Sequence, residues 1–338
     1  MIDSSGARPA GGGTQGLSRR DFLGVTASCG AHLLYVGSAV PNWARDFSAP
    51  GRHRAIVAQE PWGRLESVGE GLWALISTPL TGDRTTLCNG GIVAGTHGCL
   101  VVESFATPNG AAWMAQQARE LTGRWPSHVV LTHFHGDHAN GVEGYGADER
   151  PDVFATEKTR NLISEADAGR AVPTDSLRAH MLADVVKIDP SSAASIDLGD
   201  RAVHLVPRLG HTPSDVTVEI AEPSVVWCGD LVWNRMFPNY RDAIPSQLSR
   251  GVRALVRDQA TVYVPGHGSV ADASDLNRYI ELIDDVEAAA RLAHERGIPA
   301  TEAAESYSVP ESLGEWVMFS PRYYEVALSA WEKELGRT

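Results

Sequence analysis

The stretch THFHGDHANG, residues 132–141, places four metal-ligand side chains within six residues: His133, His135, Asp137 and His138. Imidazoles held this close together repel one another once they are protonated, and a buried carboxylate needs a partner. A metal ion removes both difficulties, because it binds neutral imidazole and ionised carboxylate. The spacing therefore indicates a metal site.

Three more residues of ligand type follow later in the chain: His211 in RLGHTPSD, Asp230 in VVWCGDLVW and His267 in VPGHG. Each comes after a short apolar run, and each adjoins a glycine. Glycine lets the backbone approach closely, so these side chains can point into one cleft. One such residue alone would carry little weight, but the seven together predict a shared metal centre.

The elements that must position these residues alternate between strands and helices. GLWALIST, GGIVAG and GCLVVES have the pattern of strands, NGAAWMAQQARELTG has that of a helix, and SHVVLT is a strand that ends at the cluster. Further strands are predicted in DVFAT, RAVHLVPRLGH, SDVTVEIAEPSVVWCGDLVW and TVYVPGHG; further helices are predicted in EKTRNLISEADAG, SQLSRGVRALVRD, DLNRYIELIDDVEAAARLAHERG and GEWVMFSPRYYEVALSAWEKELG. This order predicts an α/β protein with two sheets and helices on their outer faces.

The four elements HFHGDH, GHT, GD and PGH resemble, in identity and order, the signature of the metallo-β-lactamase-fold hydrolases, over about residues 65–270. The resemblance implies a four-layer αβ/βα sandwich of two mixed β-sheets flanked by helices. It also implies two metal ions: one held by His133, His135 and His211, the other by Asp137, His138 and His267, with Asp230 bridging them. The sequence around GDLVWNRMFPNY resembles the sulfur-oxidation and quinoprotein-associated branch of the family.

Imidazole and carboxylate ligands suit zinc, so the resemblance implies two Zn²⁺ ions per chain. A shared hydroxide is then a ready nucleophile, because metal ions lower the pKa of water from 15.7 to about 7. The sequence contains no G-x-S-x-G, P-loop or H-E-x-x-H motif. The prediction is a dinuclear zinc hydrolase, with Asp137 and Asp230 as catalytic residues, that acts on an ester, thioester, lactone, β-lactam or phosphoester.

Two alternatives remain open at this point. One is a mononuclear iron oxidoreductase similar to the persulfide dioxygenases, and the other is a non-enzymatic zinc-binding protein with a decayed site. The complete set of seven ligand-type residues argues against both.

The loop NRMFPNYRD after Asp230 is predicted to line the substrate pocket with Arg235, Phe237, Tyr240 and Arg241. These side chains suggest a substrate with an acidic or aromatic group.

Several other residues are interpreted as structural. Cys228 lies two positions before Asp230 and is predicted to be a buried small residue, not the cysteine ligand of the β-lactamases proper. No disulfide is expected between Cys88 and Cys99, and Glu103 in VVES is taken as a structural position. The aromatic residues near the C-terminus are assigned to the core because they recur at roughly helical spacing: Trp316, Phe319, Tyr323 and Trp331.

The N-terminus differs in composition from the rest. SRRDFLG and the charge-free run Phe22–Val40 resemble a twin-arginine export signal. The predicted organisation is a disordered N-terminus and signal over residues 1–39, a linker over residues 40–60 and one metallo-β-lactamase-fold domain over residues 61–338. The predicted location is periplasmic or extracellular, with no stable membrane span in the mature chain.

The formal net charge of −13 argues against a nucleic-acid partner, which needs a basic face. The expected partner is a small-molecule substrate, and the sequence does not indicate an oligomeric state.

Overall fold

A computed structural model describes residues 54–77, 82–146 and 149–336. The predicted signal over residues 1–39 lies outside the described residues, as does most of the predicted linker. Within the described residues, no helix combines the length and the apolar character that crossing a bilayer requires.

The first sheet is built in sequence order, with each strand beside the next one along the chain. Neighbours are antiparallel from β1 to β5 and parallel from β5 to β8. Its eight strands are β1 Ile56–Glu60, β2 Gly63–Gly69, β3 Leu72–Ser77, β4 Gly90–Ala94, β5 Cys99–Val102, β6 His128–Val130, β7 Asp152–Thr156 and β8 Val186–Ile188.

The second sheet has five strands in the order β13-β12-β11-β10-β9. They are β9 Ala194–Asp197, β10 Ala202–Arg208, β11 Asp215–Ile220, β12 Val225–Asn234 and β13 Val262–Gly268. Only β12 and β13 are parallel. All ten residues of β12 are buried, as expected for a strand covered on both faces.

Helices cover the outer face of each sheet. The first sheet carries α1 Pro108–Thr122, α2 Gly136–Ala139, α3 Glu157–Gly169 and α4 Leu177–Ala183; the second carries α5 Pro245–Arg253, α6 Ala273–Glu295, α7 Ala300–Ser306 and α8 Tyr323–Leu335. Short 3₁₀ helices occupy Val142–Gly146 and Glu311–Leu313. Helix α1 begins after the cap Thr107, with Pro108 in its first turn.

The inner faces of the two sheets pack against each other through one apolar core that includes Leu72, Val102, Val218 and Trp227. The Trp227 indole donates from Nε1 to the Gly90 carbonyl oxygen of the other sheet at 3.2 Å. Separate cores lie between each sheet and its helices. The four-layer αβ/βα sandwich of two mixed sheets predicted from the sequence is therefore confirmed.

Two segments differ from the sequence expectations. Strand β1 lies inside the predicted linker, where it pairs with β2 and extends the first sheet. The predicted C-terminal helix begins only at Tyr323, because the preceding segment is tied to the loop after β12. There the Val317 N–H donates to the Arg235 carbonyl oxygen at 3.0 Å, and the Val317 carbonyl accepts from the Phe237 N–H at 2.8 Å.

Candidate metal centre

All seven predicted metal ligands meet at one end of the sandwich. His133 lies in the loop between β6 and α2, His135 is the N-cap of α2, and Asp137 and His138 lie within α2. From the second sheet, the loop between β10 and β11 supplies His211, while β12 and β13 supply Asp230 and His267. The site thus draws ligands from both sheets.

A first group of donor atoms consists of His133 Nε2, His135 Nδ1, His211 Nε2 and one Asp230 oxygen, all within 4.8 Å of one another. His135 Nδ1 lies 3.1 Å from His133 Nε2 and 3.0 Å from His211 Nε2. Asp230 Oδ2 lies 3.2 Å from His211 Nε2 and 3.8 Å from His133 Nε2. These separations suit a tetrahedral zinc site, in which bonds of about 2.0–2.1 Å place ligand atoms about 3.3 Å apart.

A second group lies beside it and shares Asp230. His267 Nε2 is 3.3 Å from Asp137 Oδ2, and His138 Nε2 is 3.7 Å from the same oxygen. Asp230 Oδ1 is 3.1 Å from His138 Nε2 and 3.4 Å from His267 Nε2. Asp230 therefore presents one oxygen to each group, as a bridging carboxylate does.

Two buried atoms in the second group indicate that these residues fit a metal ion. His138 Nε2 and Asp230 Oδ1 are both shielded from solvent, and although they lie 3.1 Å apart, neither makes a hydrogen bond of acceptable geometry. Leaving such polar atoms unpaired costs about 1–3 kcal/mol each, more when they are charged. A divalent cation bound between these nitrogen and oxygen donors removes that cost, so the donor set supports a metal cofactor.

The protonation preferences of the ligands agree with this interpretation. Burial, helped by the neighbouring His138, holds the pKa of His133 well below 6.5, so its imidazole is neutral and able to bind a metal. Burial raises the pKa of Asp137 and Asp230, but the nearby imidazoles lower both by more, so both carboxylates are ionised. Despite burial, Asp230 and Asp137 raise the pKa of His267 to about 9. The second group thus attracts positive charge, which a metal ion supplies.

Glu103 orients the ligands from beneath. Its Oε1 lies 2.9 Å from His138 Nδ1, which leaves His138 Nε2 facing the second group. The Thr132 hydroxyl donates to the same oxygen and contacts His133 Nδ1 at 3.0 Å. A carboxylate behind a metal-binding histidine fixes the tautomer and the ring orientation. Glu103 itself has a φ of 78°, so the backbone is held in an unusual conformation to place it.

Asp242 orients His135 from the cavity side, and no motif in the sequence marks it. Its Oδ2 lies 2.9 Å from His135 Nε2, which leaves His135 Nδ1 for the first group. The one available signal was its place directly after Arg241, within the loop assigned to the substrate. Its partner is 107 positions away in the chain, so no local pattern connects the two.

Asn89 is a second supporting residue that no motif in the sequence marks. From the loop directly before β4, its side-chain nitrogen donates to the carbonyl oxygens of Pro265 at 2.9 Å and Gly268 at 2.8 Å, on either side of His267. Its backbone N–H donates to the Gly266 carbonyl oxygen at 2.8 Å. One asparagine therefore fixes the end of β13 that carries a ligand.

A cavity of about 360 Å³ lies in front of the ligands. His135, Asp137, Asp230 and His267 form its floor; Phe134, Trp233, Phe319, Arg84 and Arg241 belong to its walls. The Trp233 ring lies 4.1 Å from the His267 ring, between centroids. The cavity therefore combines apolar aromatic walls with two guanidinium groups.

Of the four predicted substrate residues, only Arg241 lines this cavity. Phe237 and Tyr240 are 0% and 1% exposed, in the core under the C-terminal helices, because burying large apolar rings there is favourable. Arg235 faces Asp275, with 3.5 Å between Nη2 and Oδ1. The sequence expectation for these three side chains is therefore corrected.

The C-terminal aromatic residues divide between core and cavity. Trp331 and Tyr323 are buried, as expected, and Trp316 is half-buried against the same core. Phe319 instead reaches the cavity, with its ring 5.7 Å from those of His267 and Trp233. It does so because its segment is irregular and not the predicted helix.

Cys228 faces away from the ligand groups. It packs in the core between the second sheet and its helices, with Sγ 3.5 Å from the Val226 carbonyl oxygen. Gly229 has a φ of 52°, which interrupts the strand and lets Asp230 point into the site although Cys228 does not. Burial raises the pKa of the Cys228 thiol, and the chain's other described cysteines, Cys88 and Cys99, are likewise buried free thiols.

Comparison with known proteins identifies a family. Residues 83–267 match the family model of the Metallo-beta-lactamase superfamily. A curated relative is the hydroxyacylglutathione hydrolase of Acidiphilium cryptum (strain JF-5), which is 27% identical over 201 residues that cover 59% of this chain and 73% of that protein.

Solved structures show the same fold. A metallo-beta-lactamase from Erythrobacter litoralis superposes with a TM-score of 0.54 at 19% identity, over 68% of this chain and 99% of that one. The stereoselective inverting sec-alkylsulfatase Pisa1 from Pseudomonas sp. gives a TM-score of 0.62 at 18% identity, over 81% of this chain and 50% of that one. At these identities the likeness concerns the fold alone.

Proposed function

Because the chain belongs to the Metallo-beta-lactamase superfamily, we propose that it is a hydrolase that uses two zinc ions held by its seven His and Asp ligands. The observation that carries this proposal is the orientation of Asp230, because its two oxygens face two separate ligand groups. A mononuclear iron site would leave the second group of ligands without a metal ion to bind. A decayed zinc-binding site would not be expected to keep all seven ligands clustered and oriented.

Two bound zinc ions would supply Lewis acidity and lower the pKa of water in the site. The protein contributes the positions: Glu103 and Asp242 hold His138 and His135 with the required nitrogen facing inward. Asp137 lines the cavity with 28% of its side chain exposed, whereas Asp230 is only 3% exposed. Asp137 is therefore the carboxylate that can accept a hydrogen bond from the attacking water and orient it.

The residues of the cavity walls favour a substrate that is an ester or thioester with an acidic group and an apolar portion. Arg84 and Arg241 offer guanidinium groups that match a carboxylate in geometry and charge. Phe134, Trp233 and Phe319 can bury the apolar portion and exclude water from the reacting bond. The name of the curated relative, hydroxyacylglutathione hydrolase, favours a thioester among the possible centres.

A hydrolysis panel on the zinc-loaded protein tests this proposal. It contains an acidic thioester such as a hydroxyacylglutathione, a matched uncharged thioester, a lactone, nitrocefin, a phosphodiester and a secondary alkyl sulfate. We expect the acidic thioester to have the highest kcat/KM, and Arg241→Ala to reduce its advantage over the uncharged thioester. Turnover no faster than that of the metal-free chain for every compound would refute the hydrolase, and oxygen consumption by an iron-loaded chain would support the oxidoreductase.

Export and branch membership are further proposals. SRRDFLG lies outside the described residues, and the proposal of twin-arginine export to the periplasm or beyond depends on that sequence alone. Mass spectrometry of the exported protein should show a chain that begins near residue 40, and joint replacement Arg19→Lys with Arg20→Lys should abolish export. Full-length chain found only in the cytoplasm would contradict it. GDLVWNRMFPNY likewise supports the sulfur-oxidation and quinoprotein-associated branch.

A further inference from the structure

Helix α2 has only four residues, Gly136–Ala139, yet it carries two metal ligands. The last four carbonyl groups of any helix lack partners within the helix. In so short a helix nearly every carbonyl depends on groups from other elements. The position of Asp137 and His138 is therefore set by whatever binds those carbonyls.

Two of these partners, Cys88 and Ser104, lie in loops of the first sheet, one between β3 and β4 and the other after β5. The Asp137 carbonyl oxygen accepts from Cys88 Sγ at 2.9 Å. The His138 carbonyl oxygen accepts from the Ser104 N–H at 2.9 Å and from its hydroxyl at 3.1 Å. These contacts hold the inner side of α2 and leave its C-terminal end to be held by something else.

That end is held by Arg178 of α4. Its Nη1 donates to the carbonyl oxygens of Ala139 at 2.6 Å and Asn140 at 2.9 Å. The opposite edge of the guanidinium donates to Asp167, from Nε to Oδ2 at 2.8 Å and from Nη2 to Oδ1 at 3.2 Å. The Arg178 side chain is only 6% exposed. A guanidinium fixed on both edges acts as a rigid link between α3, α4 and the end of α2.

We propose that Arg178 is a positioning residue for the second metal group, an inference that rests on the two-metal function proposed above. Asp137 and His138 both lie on α2, so a shift of this helix moves two of the three ligands that only the second group has. In the first group His133 precedes the helix and His211 lies on another loop. His135, the N-cap at the opposite end of α2 from Arg178, is held separately by Asp242. Arg178 does not line the cavity, so it acts on substrate only through α2.

A loss of metal affinity confined to the second group would distinguish a positioning role of Arg178 from a general effect on stability. Arg178→Lys keeps the charge but offers a single ammonium group, which cannot reproduce the two-edged geometry. Arg170→Met is a matched control, because Arg170 also pairs with Asp167 but makes no contact with α2 among the described interactions. Asp167→Asn is a milder second variant, which weakens the hold on Arg178 without removing it.

The experiment is a titration of each metal-free chain with Co²⁺, followed by the visible absorption of each site and by competition with a chromophoric chelator. Removing a residue that supports metal ligands typically weakens metal affinity by about 10–100-fold. We expect a loss of this size in Arg178→Lys for the second Co²⁺, with the first bound as in the wild type even though the lost buried contacts lower the metal-free melting temperature. Arg170→Met should bind both ions as the wild type does. Excess metal should then restore kcat.

The outcomes are distinguishable. Two Co²⁺ bound equally well by the wild type and Arg178→Lys would overturn the positioning role and leave the proposed function intact. Equal weakening of both ions, in step with the melting temperature, would make Arg178 merely structural. If Arg178→Lys does not fold, Asp167→Asn must show the same selective loss at smaller size, and unchanged binding there refutes the proposal. A wild type that binds fewer than two ions would refute the two-metal function itself.

Discussion

Gly266 precedes the ligand His267 in β13, and replacing it with alanine should disable the whole metal centre. A Cβ added at Gly266 would lie 1.9 Å from Asp230 Oδ1 and 2.9 Å from the Gly229 carbonyl oxygen. A non-bonded carbon and oxygen approach to about 3.3 Å, so the Asp230 carboxylate would have to retreat by about 1.4 Å. It has little room to do so, because Asp230 is almost fully buried.

The expected loss follows from the role of Asp230 in both ligand groups. A misplacement of about 1 Å in a reacting centre can reduce the rate about 10²-fold, which corresponds to about 2.7 kcal/mol of barrier. Since both metal groups lose one ligand atom together, Gly266→Ala should reduce kcat/KM by at least this factor and lower the metal content per chain.

The assay measures zinc per chain by mass spectrometry and kcat/KM with the best substrate of the panel. Gly169→Ala is the control, because a Cβ at Gly169, the last residue of α3, meets no atom within 4 Å. The reasoning is refuted if Gly266→Ala binds two zinc ions and matches the kcat/KM of Gly169→Ala.

Three further predictions concern the ligands, the metal and the thiols. Asp230→Ala should lose zinc and reduce kcat by at least about 10–100-fold, whereas Cys228→Ser should keep both ions; the opposite result would show that the cysteine is the ligand. A chelator should abolish activity, zinc should restore it, and the zinc-loaded chain should be more stable by about 2.7 kcal/mol for each bound ion at a free zinc concentration 100 times Kd, measured as a shift in Tm. Burial raises the pKa of Cys88 and Cys99 to about 12, so their thiolate fraction at pH 8 is very small and iodoacetamide should label them only after unfolding. Rapid labelling of the native chain would contradict their burial.

The clustering of the seven candidate ligands could be predicted from the sequence because its signals are local. Two of the four stretches place a ligand within a strand, and the other two begin their ligands three residues after a strand ends, so short motifs retain the geometry of the site. The layered architecture could also be predicted, since helices that alternate with strands must cover the outer faces of sheets.

The supporting residues could not be predicted, because they act across long separations. Asp242 meets His135, and Asn89 meets the end of β13, only once the two sheets have packed together. Phe237 was expected in the cavity and Phe319 in the core, and the structure places them the other way round for a similar reason. Whether an aromatic ring faces a core or a cavity depends on the path of the backbone around it, which Val317 sets through its contacts with the loop after β12.

The sequence-ordered sheets have a consequence for how the molecule assembles. The first sheet uses only strands between residues 56 and 188, and the second only strands between residues 194 and 268, so each half can form from consecutive chain. Every metal group, however, takes ligands from both halves, so high metal affinity arises only when the halves dock. Zinc should then slow hydrogen exchange most strongly where the two sheets pack against each other. The time course of zinc uptake during refolding would report when the two halves dock.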